Sequence, residues 1–215
     1  MRNDTNKSKY CIKCVMPETK PDFKIEADGI CVACKAYADR KKINWEERKD
    51  QFLKIAKRFK DKSKNNYDCI IPSSGGKDST YQAIKMLELG LNPLCVTAST
   101  DLLSELGRYN IENMKKLGVD YIEISTDPIT RRKINKFTLE TLGDISWAEH
   151  LTIFTIPVRV SVDMNIPLIV WGENASNEQG GPATDIDNSF FTRRRLEELG
   201  GLLGLRTTDL PHLLK

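Results

Sequence analysis

Between Asp68 and Gly90 a short apolar run, a glycine-rich loop and a helix-forming stretch follow one another without a gap. No other feature constrains the fold as much. Cys69-Ile70-Ile71 reads as a buried strand, Ser73-Ser74-Gly75-Gly76-Lys77-Asp78-Ser79 as a tight connection, and residues 78–90 as a helix stopped by Gly90. The alternation then continues. Strands are expected at Pro93–Ser99, Tyr121–Ser125 and Pro167–Trp171, and helices over 107–117, 128–142 and 147–164. Pro157 should kink or break the last helix. A further helix is expected from Thr192 to Gly200-Gly201, and one over 45–61, where Phe52, Ile55, Ala56 and Phe59 recur at helical spacing. Strands alternating with helices predict an α/β fold, a parallel sheet with helices on both faces. Ligands of such sheets bind beyond the carboxyl ends of the strands.

The loop at that end has the composition of an oxyanion site. Gly75 and Gly76 let the backbone approach phosphate oxygens with no Cβ in the way. The N–H groups of Ser73, Ser74, Gly75, Gly76, Lys77, Asp78 and Ser79 precede or open a helix, whose positive end favours negative charge. Ser74 and Ser79 add hydroxyl donors, and Lys77 adds a mobile positive charge. The loop is not a Walker A motif: Ile71 stands where its first glycine belongs, and Asp78 rather than Ser or Thr follows the lysine. Thr97, Ala98 and Ser99 end the second strand, where their backbone could meet an adenine edge. Trp171-Gly172-Glu173-Asn174 ends the fourth strand, and Gly180-Gly181 follows, so Gly172, Glu173, Asn174, Gly180 and Gly181 are candidates for contacting substrate or nucleotide. Asp185 and Asp187 could hold magnesium, although alternating aspartates in a loop are more often solvated. His150 could be a site residue or a satisfied structural one.

Four of the six cysteines form two pairs, Cys11-x2-Cys14 and Cys31-x2-Cys34, separated by sixteen residues. This spacing predicts a four-thiolate tetrahedral site, closed and therefore structural, for zinc or iron, with zinc favoured by the closed sulfur set. Cys69 and Cys95 sit in apolar runs and read as small core residues. Charged residues make up 29% of the chain and the net charge is only +3, so nucleic acid is not an expected partner. No apolar stretch approaches the roughly 18 residues of a membrane span, and Met1–Lys9 lacks the apolar core of a secretory signal. A cytoplasmic protein with no membrane partner is the expectation.

Ser74, Gly75, Gly76, Asp78 and Ser79 match the Ser-Gly-Gly-x-Asp-Ser signature of PP-loop ATP pyrophosphatases, the adenine-nucleotide α-hydrolase-like fold. Within that superfamily the chain resembles the N-acetyl sugar amidotransferases of bacterial surface-polysaccharide, O-antigen and flagellin-glycan synthesis. The resemblance lies in residues 11–21, Gly29–Cys34, the loop itself, Gly107-Arg108-Tyr109-Asn110-Ile111-Glu112-Asn113, Gly143–Trp147, Phe154–Pro157 and Trp171–Asn174. It runs across almost the whole chain.

The resemblance implies an ATP-dependent reaction in which an acetamido group of a UDP-linked sugar, a 2,3-diacetamido uronic acid, becomes an acetamidino group. Lys77 and Asp78 would be catalytic, and magnesium would bridge the phosphates. No glutaminase motif is visible, so ammonia would come from a separate glutaminase, working with a barrel subunit resembling that of imidazole-glycerol-phosphate synthase. Three units are expected: a zinc knuckle over 1–40, a linking helix within 41–66, and the ATP-binding α/β domain over 67–215. Members of the family usually continue past the position of Lys215, so either a C-terminally truncated chain or a short variant is expected by that measure. Two other readings stay open: a tRNA-modifying PP-loop enzyme of the thiolation type, and an ATP-binding fragment without activity.

Overall fold

The computed structural model describes residues 8–19, 23–62, 66–99, 103–172, 192–194, 196–197 and 201–213. After a first segment built around the cysteines come α1 (Val32–Asp39) and α2 (Trp45–Phe59), then β1 (Cys69–Pro72), α3 (Lys77–Glu88), β2 (Pro93–Ser99), α4 (Glu105–Lys115), β3 (Asp120–Ser125), α5 (Pro128–Leu142) and α6 (Trp147–Asp163). The strands form a parallel sheet in the order β1-β2-β3, with Cys69 opposite Pro93 and Leu94 opposite Asp120. The α/β expectation holds.

Side-chain alternation along the strands sorts the core into two layers. Cys69, Ile71, Cys95 and Tyr121 face Phe52 and Ala56 of α2, Ala83 and Met86 of α3, and Met114 of α4. On the opposite face, Ile70, Leu94, Val96, Ile122 and Ile124 pack on Ile156 and Val160 of α6. Both faces are therefore covered by helices, as a sheet of nearly continuous apolar strands requires. Cys69 and Cys95 are fully buried core residues, and desolvation pushes each thiol up to about 12.

Two expectations need correction. The fourth strand is reduced to a single parallel bridge between Ile70 and Ile169, held by Ile70 N–H to the Leu168 carbonyl and Val170 N–H to the Ile70 carbonyl, each at 2.8 Å. It still lays residues 168–170 beside β1. Pro157 does not break the last helix, because α6 runs through it from Trp147 to Asp163. The carbonyl that Pro157 cannot serve belongs to Ile153, an exposed residue that water can reach. The helix expected from Thr192 to Gly201 lies in part outside the described residues.

Asp68 ties the start of the sheet together. Its buried carboxylate accepts from Asp61 N–H at 2.6 Å and from Asn92 N–H at 2.8 Å, joining the segment after α2 to the segment before β2. A smaller core forms where Trp147, Leu202 and Leu210 meet Ile134, Phe137 and Leu151, and the Trp147 indole donates to the Leu202 carbonyl at 2.8 Å.

Candidate active site and metal centre

The loop leaves the carboxyl end of β1 and enters α3 at Gly76, the helix N-cap. Helices α1, α2, α4 and α5 each start with a cap side chain, from Cys31, Asn44, Ser104 and Asp127, that accepts a first-turn N–H. Helix α3, like α6, has no such cap. Its first-turn amides are thus not satisfied by a cap side chain, which is the arrangement an anionic ligand would complete.

Gly75 is buried with φ +75°, and a Cβ placed there would stand 2.9 Å from Ile111 Cγ1 and 3.1 Å from Ile111 N. Helix α4 therefore lies directly against the loop, and the 107–113 segment noted in the sequence lies beside it. Ser74 is exposed and its Oγ accepts from Gly76 N–H at 3.3 Å. Lys77 extends into solvent with its side chain 87% exposed, and its ammonium pairs with both carboxylate oxygens of Asp78 at 2.7 Å. Ser79 is buried, and its hydroxyl donates back to the Gly76 carbonyl at 3.2 Å. Thr80 donates to the same carbonyl at 2.9 Å.

The remaining candidates divide. The Ser73 hydroxyl does not face out of the loop: it is buried among Met114, Tyr121 and Gly75. The Thr97 side chain is likewise turned inward, onto the Ser73 carbonyl. Ala98 and Ser99 are half-buried at the strand end, and the Ser99 carbonyl accepts from Arg131 at 3.0 Å. Gly172 is exposed, and a Cβ there would stand 3.1 Å from the Gln82 amide nitrogen of α3, so the 171–172 turn reaches the helix that begins in the loop. The Trp171 ring is 5.3 Å from that of Phe154. Glu173, Asn174, Gly180, Gly181, Asp185 and Asp187 lie outside the described residues. His150 is half-buried, and its Nδ1 is buried without a hydrogen-bond partner among the described residues, so it is not the satisfied structural histidine the sequence offered.

Two residues that pattern reading passed over sit under this site. Tyr121 on β3 reads as an ordinary alternating strand residue, yet its hydroxyl reaches the root of the loop. Arg131 belongs to the basic run Arg131-Arg132-Lys133, yet it is 4% exposed and donates to Thr126 Oγ1 as well as to Ser99. No sequence signal separates it from Arg132 beside it.

The four cysteines of the first segment come together. The Sγ atoms of Cys11, Cys14, Cys31 and Cys34 all lie within 4.8 Å of one another, with Cys14 and Cys31 3.6 Å apart and Cys11 and Cys34 4.0 Å apart. Thiolates bound at about 2.3 Å around a tetrahedral zinc would be roughly 3.8 Å apart. The donor set fits that metal in number, softness and spacing. Backbone N–H groups point at the sulfurs, Cys31 N–H at Cys11 Sγ (3.3 Å) and Cys34 N–H at Cys31 Sγ (3.4 Å). Burial alone would push the Cys11 thiol up, but donors from Cys31, Cys14 and Lys13 outweigh it and bring the thiol below its usual range. Burial and the neighbouring sulfurs push Cys31 and Cys34 up. A bound cation would reverse that ordering by stabilising all four thiolates.

No family model matches the chain. A curated relative, an uncharacterized protein of Methanocaldococcus jannaschii, is 33% identical over 132 residues, covering 56% of this chain and 47% of that one. The chain thus spans about half the length of the curated relative it matches. Three solved structures share part of the architecture. An NH3-dependent NAD synthetase of Campylobacter jejuni aligns with TM-score 0.45 and 15% identity, covering 62% of this chain and 58% of that one. An NMN synthetase of Francisella tularensis gives 0.40 and 17%, covering 66% and 64%. A predicted tRNA methyltransferase subunit of M. jannaschii gives 0.38 and 19%, covering 67% and 72%. Likenesses this distant bear on neither substrate nor reaction. The helices on both sheet faces, the uncapped loop helix and the four-cysteine cluster define the class: an α/β chain with a candidate oxyanion loop and a candidate thiolate metal centre.

Proposed function

We propose that this chain is an ATP-dependent, AMP-forming N-acetyl sugar amidotransferase of the PP-loop type. One observation carries the reading: the Ser-Gly-Gly-Lys-Asp-Ser loop runs from the carboxyl end of a parallel strand into a helix that no side chain caps. The β- and γ-phosphates of ATP would occupy that cradle, held by the amides of Gly76 to Ser79 and by the Ser74 hydroxyl. Lys77 would leave Asp78 and turn to the pyrophosphate, neutralising the charge that develops as it departs. Asp78, freed from Lys77, offers a carboxylate to a magnesium ion on the phosphates.

The proposed substrate is a UDP-linked 2,3-diacetamido uronic acid. Its amide oxygen attacks the α-phosphorus and pyrophosphate leaves, giving an O-adenylyl imidate. Ammonia adds at the imidate carbon, and AMP leaves with the former amide oxygen. The two-stage route makes chemical sense because an amide oxygen is a poor leaving group and AMP a good one. Ammonia would be supplied by a separate glutaminase and a barrel subunit. The ordered segments from Cys11 to Asn174 that resemble this family support the substrate class.

The test is release of AMP and pyrophosphate from ATP with ammonium and a panel of UDP-diacetamido sugars. Sugar-dependent AMP formation is expected, falling at least tenfold in Lys77→Ala. Nucleotide binding with AMP formed only when tRNA is supplied would replace the sugar by RNA. Binding with no turnover on either would make the chain an ATP-binding fragment.

A further inference from the structure

The loop is anchored from below by a buried polar network that the proposed chemistry does not use. The Tyr121 hydroxyl, on β3, lies 3.1 Å from Ser73 Oγ and 2.6 Å from Thr97 Oγ1, and its single hydrogen serves one of the two. Thr97, on β2, donates to the Ser73 carbonyl. Ser73 Oγ in turn donates to the Met114 thioether of α4 at 3.1 Å and accepts Gly75 N–H at 3.3 Å. The Ser79 hydroxyl lies 3.9 Å from the same sulfur. Three elements thus converge on Ser73, the first residue of the loop. Ser73, Thr97 and Met114 are buried and Tyr121 is half-buried, which limits competition from solvent for these bonds.

Buried hydroxyls on apolar strands are costly unless they are satisfied. Val at 97 and Phe at 121 would fill the same space without that cost. What the hydroxyls supply that the apolar residues would not is direction. They fix the Ser73 carbonyl and hydroxyl, the Ser73 hydroxyl fixes the Gly75 amide, and the next residues are the amides that would face phosphate.

We propose that Tyr121, with Thr97, is a positioning residue for the phosphate loop, setting the loop amides in their anion-binding orientation through Ser73 without touching the nucleotide. The proposal rests on the reading of this loop as a phosphate cradle. A positioning role of this kind acts on phosphate affinity and leaves adenosine alone.

The experiment is calorimetric titration of the full chain with ATP and, separately, with adenosine, for the wild type and for Tyr121→Phe, Thr97→Val, Thr97→Ser and Lys77→Ala. Losing one network bond should weaken ATP binding about fivefold to tenfold, the free-energy range of a single hydrogen bond. Adenosine binding should stay within about twofold, and Thr97→Ser, which keeps the hydroxyl, should restore ATP affinity. The conservative Thr97→Ser against Thr97→Val pair carries the test if Tyr121→Phe fails to fold. Equal ATP affinity in wild type, Tyr121→Phe and Thr97→Val would overturn the proposal, as would a parallel loss of adenosine affinity, which marks general destabilisation. Wild-type protein that binds no ATP, or binds it unaffected by Lys77→Ala, would overturn the cradle reading itself and this proposal with it.

Discussion

Gly75 meets two demands at once. Its φ of +75° lies in the left-handed region, and the space its Cβ would need is filled by Ile111. An alanine there costs about 1–2 kcal/mol for the backbone alone, and the 2.9 Å contact with Ile111 Cγ1 adds to it. A double-mutant cycle separates the two parts. Gly75→Ala in an Ile111→Ala background should cost less than in the wild type, the difference being the side-chain contact, while the backbone strain and the 3.1 Å approach to Ile111 N persist. Denaturant midpoints for the four proteins check this, and strict additivity would mean that the Ile111 side chain does not press on the loop. The candidate binding residues were legible in the sequence because their chemistry is local: glycines, a lysine and hydroxyls between a strand and a helix. The buried polar residues beneath the site were not. A tyrosine at position 121 and an arginine at 131 acquire their roles only from where β3 and α5 set them, and neither periodicity nor composition encodes that.

Among the elements, α5 shows what sequence punctuation determines. Pro128 opens it, and Gly143, in the left-handed conformation, closes it, so its bounds of 128 and 142 were readable in advance. The same holds for β2, bounded as expected at Pro93 and Ser99. The segment 167–171 carries equal apolar character but pairs with β1 at one residue only, because strand length depends on a neighbour's backbone and not on its own side chains. The cap of α5 makes a pH prediction. Asp127 accepts from the Thr130 hydroxyl and from the Thr130 and Ile129 amides, and these bonds hold its carboxyl below the ordinary 3.8. A folded value below the unfolded one means the cap contributes fully above the unfolded value and is lost as pH falls through the folded one. Asp127→Ala should therefore melt below the wild type at pH 7, and the gap should close as the pH drops beneath about 3.8. A gap independent of pH would show that the carboxylate's charge is not what the cap uses.

At the scale of the whole molecule the chain carries two cores of unequal independence. The knuckle core consists of Cys11, Phe23 and Cys31 with partners no further along than Cys34. So few apolar residues cannot offset the entropy of ordering their own backbone, which leaves metal binding as the source of folding free energy for this segment. The α/β core has several times that apolar content on two sheet faces, and α2 joins it through Phe52 and Ala56. Hydrogen bonds that hold the glycine-rich loop come from β2, β3, α3 and α4, and these partners all lie outside 8–42. Chelation should then act on one unit only. Protein treated with a strong zinc chelator, or carrying Cys14→Ser, should lose the helical signal of α1 and become susceptible to proteolysis before residue 45. Its ATP affinity should stay within about twofold, and its main thermal transition should persist. Metal content by elemental analysis, limited proteolysis and calorimetric titration read the three quantities on one sample. If ATP affinity falls in step with metal loss, the knuckle is part of the nucleotide site and its closed thiolate centre is more than a staple.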